Sequence, residues 1–449
     1  KEDDQMFEHK KIFIFGMARS GYEVAKLLSH YHNDILVVDG KEQPEELVKE
    51  LNSLGVNVVI SEQPEELLNE HYDIMVKNPG IIKTHPCVQK AHQLKIPVMN
   101  EVEVAYHFLP KGVHIIAITG SNGKTTTTTI TYEMLKLAGL PVTLGGNIGT
   151  PMSKLVSEIK ENDYLVMEIS DHQLVDMNEF HPHIAVLTNL SPVHLDFHGN
   201  SYEAYKQTKK KLFLPMKEND IAILNLENED VVELTKDIKA EKRYFSSQKD
   251  AYACIKENAI YVNQERILSL DDIRVKGTHN YENIMCAIMI AKECGVSNEV
   301  IKEILESFVG VEHRLEFVRK LHDREFYNDS KSTNNQSTIT ALQAFHSPVI
   351  LLLGGLDRGI PFDDLTPYMG SVTHVVCYGE TKDKIKEYCD KIGKDCVVLN
   401  NLEESVHAAY NLSNEGDTIL LSPACASWDQ YHTFEERGEE FKRVVEELK

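Results

Sequence analysis

Residues 120–125 read Gly-Ser-Asn-Gly-Lys-Thr, and they stand where the apolar run His114–Gly120 gives way to an amphipathic stretch. A glycine-rich turn between a strand and a helix aims backbone N–H groups and the positive end of a helix dipole at one point, as a polyphosphate requires. The strict P-loop spacing asks for glycine at 118, where this chain has Ile118, so the turn is a shortened variant. Its chemistry is intact. Gly120 and Gly123 let the backbone approach, Lys124 offers a cation to terminal phosphates, and Thr125 offers a hydroxyl to Mg²⁺. Glu168 closes the next apolar run, Tyr164–Ser170, and ligands of open α/β sheets sit beyond the carboxyl ends of strands. A metal-binding carboxylate belongs there. His194 follows a third run, Ile184–Leu190, but Mg²⁺ prefers oxygen ligands, so spacing alone reads this imidazole as packing or solvent-facing.

A second glycine turn, Gly16-Met-Ala18-Arg19-Ser20-Gly21, follows the run Lys11–Gly16, and Asp39 ends the run Asp34–Asp39. The pattern echoes a dinucleotide fingerprint, with Ala18 in place of the second glycine and so less room for a pyrophosphate. A nucleotide-bearing substrate fits as well as a nicotinamide cofactor, and an ordinary tight turn is the plain alternative. Three more polar clusters stand out: His313-Arg314, Asn328-Asp329-Ser330-Lys331-Ser332-Thr333-Asn334, and Ser422 to Gln430. Singly each reads as a solvated loop. Jointly they supply cations and hydroxyls suited to anions.

Elements that could position these residues are legible as well. Short Val/Ile/Leu-rich runs alternate with amphipathic stretches in three successive series, the pattern of parallel sheets covered by helices. We therefore expect an α/β protein of three domains, 1–110, 111–310 and 311–449: a Rossmann-like unit, a central mononucleotide-binding sheet, and a second Rossmann-like unit. A helix is expected from Thr125 to Ala138, stopped by Gly139 and Pro141. The 449 residues carry 47 Lys and Arg against 70 Asp and Glu, a net charge of −23 that opposes binding to nucleic acid or an anionic membrane. Eight scattered cysteines without a C-x-x-C pair point to a reducing compartment rather than to zinc or disulfides. No apolar run approaches a membrane span, and the chain reads as soluble and not exported.

Together these motifs resemble the Mur ligases of peptidoglycan synthesis, and within that family the branch that adds D-glutamate to UDP-N-acetylmuramoyl-L-alanine. The resemblance spans essentially the whole chain. It rests on GSNGKTT at 120–126, Asn147-Ile-Gly149, Glu168 to Gln173, His194-Leu-Asp196, Tyr205 to Phe213, His279 to Asn283, His313-Arg314, NDSKSTN at 328–334, SPACASWDQY from Ser422, and Phe434 to Gly438. The Gly-Lys-Thr loop taken alone would also fit a nucleotide switch.

What the resemblance implies is specific. ATP would be held by Gly120, Ser121, Asn122, Gly123, Lys124, Thr125, Thr126 and Asn283, with Arg314, Asp329 and Lys331 from the last domain. Two Mg²⁺ would be bound through Thr125, Glu168, His194 and Lys209, the last as a carbamate, and Lys124, Glu168, His194 and Lys209 would be the catalytic group. The UDP-sugar would meet Arg19, Ser20, Asp39, Asn78, Gly80, Asn147, Ser170, Gln173 and His194. D-Glutamate would meet Thr333, Arg358, Ser427 and Phe434. Three departures are visible: Val193 where Asp often precedes the histidine, Asn78 where Ser is common, and Arg358 where some relatives carry Lys. The implied reaction is ATP-dependent amide formation through an acyl phosphate, releasing ADP and phosphate, by a cytoplasmic monomer with no nucleic-acid or membrane partner.

Overall fold

A computed structural model describes residues 6–146 and 150–449. Asn147, one of the expected sugar contacts, lies outside the described residues. The described residues form three sheets. The first contains β1 (Lys11–Phe15), β2 (Asp34–Asp39), β3 (Asn57–Ile60), β4 (Ile74–Lys77) and β5 (Val98–Met99) in the order β3-β2-β1-β4-β5, all parallel. Its central strand β1 buries apolar side chains on both faces. Ile12 and Ile14 pack into one buried cluster with Val24, Leu28 and Val37, while Phe13 and Phe15 pack into another with Val38, Met75 and Val88. A strand covered on both sides is apolar along most of its length, which is why β1 does not alternate with polar residues.

The second sheet has nine strands: β6 (His114–Thr119), β7 (Val142–Gly146), β8 (Tyr164–Glu168), β9 (Ile184–Leu187), β10 (Ile221–Asn225), β11 (Glu241–Ser246), β12 (Ala253–Lys256), β13 (Ala259–Val262) and β14 (Glu265–Ser269). Their order is β14-β13-β12-β11-β10-β9-β6-β8-β7. β6 thus lies between β8 and β9, parallel to both, so the chain leaves its carboxyl end between the ends of the two strands that carry Glu168 and lead to His194. The helix after it spans Lys124–Leu137, starting one residue earlier than the spacing predicts.

The third sheet contains β15 (Glu316–Leu321), β16 (Arg324–Asn328), β17 (Val349–Gly354), β18 (Val372–Tyr378), β19 (Asp395–Val398) and β20 (Thr418–Leu421), ordered β15-β16-β20-β17-β18-β19. Here too alternate residues of one strand serve opposite cores: Leu351 and Leu353 face one, Ile350 and Leu352 the other.

The all-parallel expectation needs one correction. β12 pairs with β13, and β15 with β16, in antiparallel hairpins. Each closes on two residues with positive φ, Glu257 and Asn258 in one and His322 and Asp323 in the other. Two-residue hairpin loops require that backbone, and glycine usually advertises it. Neither turn has one. By packing, the chain divides into two compact units, Lys1–Ile267 with Glu282–Ile301, and Leu268–Tyr281 with Lys302–Lys449. Among the described residues no helix is long and apolar enough to cross a membrane, and the eight cysteines are free thiols.

Candidate active site

Several features of the first unit shape the turn after β6 into one that could cradle a phosphate. Gly120 and Gly123 adopt φ of 149° and 86°, and a Cβ on either would collide, with Thr188 Oγ1 at 1.9 Å or Asn283 Oδ1 at 2.2 Å. Glycine is thus required at both by backbone and by space. The segment after β9 braces the loop: Ser121 N donates to Asn189 O at 3.0 Å, Asn122 N to Asn189 Oδ1 at 2.8 Å, and the Ser121 and Tyr205 hydroxyls meet at 2.8 Å. The loop carbonyls in turn accept from amines. Lys124 Nζ donates to Gly120 O at 2.8 Å, and Lys209 Nζ donates to the same oxygen at 3.1 Å and to Thr119 Oγ1 at 2.7 Å.

Lys209 lies on the helix Tyr202–Lys210 and is fully buried. Burial, aided by the charge of Lys124, drives its amine well below the ordinary lysine range, against the pull of Asp171 and Glu168. Leaving a charged amine buried would cost several kcal/mol, so the neutral form is favoured. Its two neighbours go elsewhere. Lys210 Nζ pairs with Asp237 at 2.7 Å, and Lys211 Nζ donates to Val175 O at 2.6 Å. Of the three consecutive lysines, only Lys209 turns under the loop.

Glu168 ends β8 with 3% exposure, and its Oε2 accepts from Thr125 Oγ1 at 3.0 Å. A buried carboxylate beside a hydroxyl is a hard oxygen donor pair, the kind that suits Mg²⁺. The residues present therefore fit that ion. His194 has a left-handed backbone, φ 51°, and a half-exposed ring whose Nδ1 lies 3.1 Å from Asp171 Oδ1. Asp171 was not foreseen. Burial works to raise its carboxyl, but hydrogen bonds from His172, His194 and His198 outweigh it and hold the group far below the carboxylate range. Ser170 and Gln173 bond to each other in a capping box at the start of the short helix Asp171–Leu174. Thr126 is buried in the first turn of the cradle helix.

The other expected contacts of this unit gather at the carboxyl ends of β1, β2 and β4. Asp39 accepts from Met17 N at 2.8 Å and Lys41 N at 3.0 Å, which ties the Gly16–Gly21 turn to β2. Arg19 is exposed and Ser20 half-buried at the start of the helix Ala18–Ser29. Asn78 Oδ1 accepts from Gly80 N at 3.0 Å. Next to it Lys77, 1% exposed, donates to Ile81 O at 2.5 Å and pairs with Asp176 Oδ2 at 2.8 Å. That pair joins the Asn78–Ile81 loop to the segment following Gln173. Asn100 Nδ2 reinforces it by donating to Gln173 O at 2.7 Å. Lys77 and Asp176, like Asn100, carry no sequence signal of a site.

In the second unit Asp329 is buried and accepts from Leu315 N at 3.0 Å and Ser422 Oγ at 2.8 Å. Burial pushes its carboxyl up to about 6, despite the hydroxyls of Ser332 and Ser422 and the charge of Arg314. Lys331 N donates to His313 O at 2.9 Å, Arg314 is exposed, and Thr333 is half-buried on the same loop. Ser427 is buried, its hydroxyl without a partner, and exposed Arg358 lies with its guanidinium 5.0 Å from the centre of the Trp428 ring. Phe434 O accepts from Ser330 Oγ at 2.7 Å. One further residue organises these loops: Arg437, fully buried, donates to Ser330 Oγ, Ser330 O and Cys425 O at 3.0, 2.7 and 2.9 Å.

Fold and site together define a nucleotide-dependent α/β enzyme with a lysine-bearing phosphate loop. Residues 118–291 match the family described as Mur ligase middle domain, residues 313–425 the Mur ligase glutamate ligase domain, and residues 10–100 the Mur ligase MurD-like N-terminal domain. The chain is 44% identical over 446 residues to the UDP-N-acetylmuramoylalanine–D-glutamate ligase of Bacillus cereus (strain G9842), covering 98% of each. It is 45% identical over 450 residues to the enzyme of the same name from Geobacillus kaustophilus (strain HTA426), covering 99% of each. Its fold matches that of the UDP-N-acetylmuramate-alanine ligase of Thermotoga maritima, with TM-score 0.58 at 20% identity over 98% of this chain and 100% of that one. A pseudomurein peptide ligase type C from Methanothermus fervidus gives 0.55 at 17% identity, covering 98% and 100%. The chain belongs to the Mur ligase family.

Proposed function

We propose that this chain is an ATP-dependent acid–amino-acid ligase that joins D-glutamate to UDP-N-acetylmuramoyl-L-alanine in peptidoglycan synthesis. The observation that carries the reading is the convergence of Lys124, Thr125, Glu168 and Lys209 on one phosphate loop. A free carboxylate does not acylate an amine, so the γ-phosphoryl group of ATP is first transferred to it, giving an acyl phosphate and ADP. Such transfer depends on positioning and charge neutralisation. Lys124 leaves the Gly120 carbonyl to meet the phosphates, and the N-terminus of its helix supports the same charge. The amine of D-glutamate then attacks the acyl carbon, phosphate leaves, and the amide forms with loss of a proton.

Thr125, Glu168 and His194 would hold Mg²⁺, at two sites, and Lys209 would join them after its neutral amine adds CO₂ and loses a proton to become a carbamate. When bound, the metal supplies positive charge at the phosphate oxygens. Asn283, Arg314, Asp329 and Lys331 are assigned to the nucleotide. Arg19, Ser20, Asp39, Asn78, Gly80, Asn147, Ser170, Gln173 and His194 are assigned to the UDP-sugar, and Thr333, Arg358, Ser427 and Phe434 to D-glutamate. We assign segments 1–110, 111–310 and 311–449 to UDP-sugar, ATP and amino acid, and expect a cytoplasmic monomer.

The test is phosphate release with ATP, Mg²⁺ and the UDP-sugar, comparing D-glutamate, L-glutamate, lysine, diaminopimelate and no amino acid. Release that requires both the UDP-sugar and D-glutamate, with the coupled product seen by mass, supports the assignment. Release indifferent to the amino acid, or set off by another one, removes the D-glutamate pocket from it.

A further inference from the structure

We propose that Asp171, His172 and His194 form a binding site for a zinc-class divalent ion, with His198 holding the carboxylate from behind. A ring nitrogen from each of the two imidazoles and one Asp171 oxygen all lie within 4.8 Å of one another. His194 Nδ1 is 3.1 Å from Asp171 Oδ1, and His172 Nδ1 is 3.5 Å from Asp171 Oδ2. Ligands bound tetrahedrally at roughly 2.0–2.2 Å from Zn²⁺ stand roughly 3.3–3.6 Å apart, so modest ring rotations bring the three onto one ion. Two imidazoles and a carboxylate, with an open fourth position for water, suit zinc and its neighbours and not Mg²⁺.

Packing around the triad supports this. Asp171 is almost wholly buried, at 1% exposure, while the His172 and His194 side chains are 30% and 54% exposed, so an ion from solution reaches the imidazoles and meets a fixed anion behind them. The two rings stand at 66° with centroids 5.0 Å apart, and His172 also packs against Phe197 at 4.0 Å. His198 Nε2 donates to Asp171 Oδ2 at 2.8 Å and is itself buried, an outer hydrogen bond of the kind that orients metal-bound carboxylates. On binding, His172 and His194 coordinate through Nδ1 as neutral rings, each carrying its proton on Nε2. His194 is also the imidazole proposed for Mg²⁺. An ion held by the triad therefore competes with that role, a consequence that rests on the ligase reading although the site itself does not.

The experiment titrates the full-length protein, freed of metal by chelation, with Co²⁺ and follows its visible absorption, then displaces the cobalt with Zn²⁺. The expected result is one saturable site with the intense bands of four-coordinate cobalt, bleached by Zn²⁺. His172→Phe should weaken it by at least about tenfold, with His172→Gln as the substitute if the first variant fails to fold by circular dichroism. Weak octahedral bands only, or binding that both His172 variants leave unchanged, would overturn the proposal. No nucleotide or sugar is present, so its failure leaves the ligase reading intact, and failure of the ligase assay leaves this one.

Discussion

Lys124 and Lys209 share one acceptor: their Nζ atoms lie 2.8 and 3.1 Å from the carbonyl oxygen of Gly120. Held at one oxygen, two ammonium groups would repel, by about 4 kcal/mol were they about 4 Å apart at an effective dielectric of 20. The pair is relieved when the buried member gives up its proton. That member is Lys209, which leaves the more exposed Lys124 as the cation proposed for phosphates.

Replacing Lys209 should separate stability from activity. Its folded-state value lies below the unfolded one, so the charged form costs stability at lower pH, and stability rises with pH between the two values. Lys209→Met removes that cost. The expected outcome is a ligand-free melting temperature at pH 7 no lower than the parent's, with phosphate release reduced at least about hundredfold. A variant that melts well below the parent would mean that the amine is charged and paired in the fold.

The cradle should not tolerate a methyl group. Gly123→Ala strains a left-handed residue by about 1–2 kcal/mol and pushes on the Asn283 amide. Nucleotide affinity, measured by calorimetry, should fall at least about tenfold, whereas Gly139→Ala, at a φ of 83° with open space around it, should cost stability alone.

Asp329 makes a pH prediction for the second unit. Its folded value, about 6, lies above the model-peptide value of 3.8, so the folded state holds its proton more tightly and stability falls as pH rises from about 4 to about 6. Asp329→Asn should flatten that part of a plot of melting temperature against pH. An unchanged slope would mean that the hydroxyls of Ser332 and Ser422 already compensate the buried charge.

The Lys77–Asp176 pair couples two loops assigned to the UDP-sugar. Removing either partner leaves the other charge buried and should cost about 3–5 kcal/mol. Lys77→Met combined with Asp176→Leu should recover part of that loss in a double-mutant cycle, while KM for the UDP-sugar stays raised because the link between the loops is gone. Additive effects would deny the coupling.

Much of the site is written locally. Gly120 to Thr125 sit between an apolar strand and an amphipathic helix, and the need for glycine is a property of that turn's own backbone. Glu168 is legible for a similar reason, because a residue ending a buried strand in an α/β sheet faces the ligand edge. The two hairpins were not legible, since their positive-φ turns are made by Glu257-Asn258 and His322-Asp323 without a glycine to mark them. Arg437 reads as an ordinary helix residue, and only packing shows its guanidinium bonded to Ser330 and Cys425.

By itself, then, the sequence determined the α/β class, the glycine-lysine turn after β6 and the family, because each depends on short-range pattern: strand runs, helix spacing, glycines at set offsets. The resemblance singled out Lys209, and the structure shows it, not Lys210 or Lys211, under the loop; tertiary structure alone decided which carboxylate gathers three imidazoles and which partner a buried Lys77 finds. Those choices join residues far apart in the chain: Asp171 with His194, Lys209 with Thr119, and Lys77 with Asp176. The free energy that selects them is the cost of burying a polar group without a partner, and a partner exists only once the sheets have stacked.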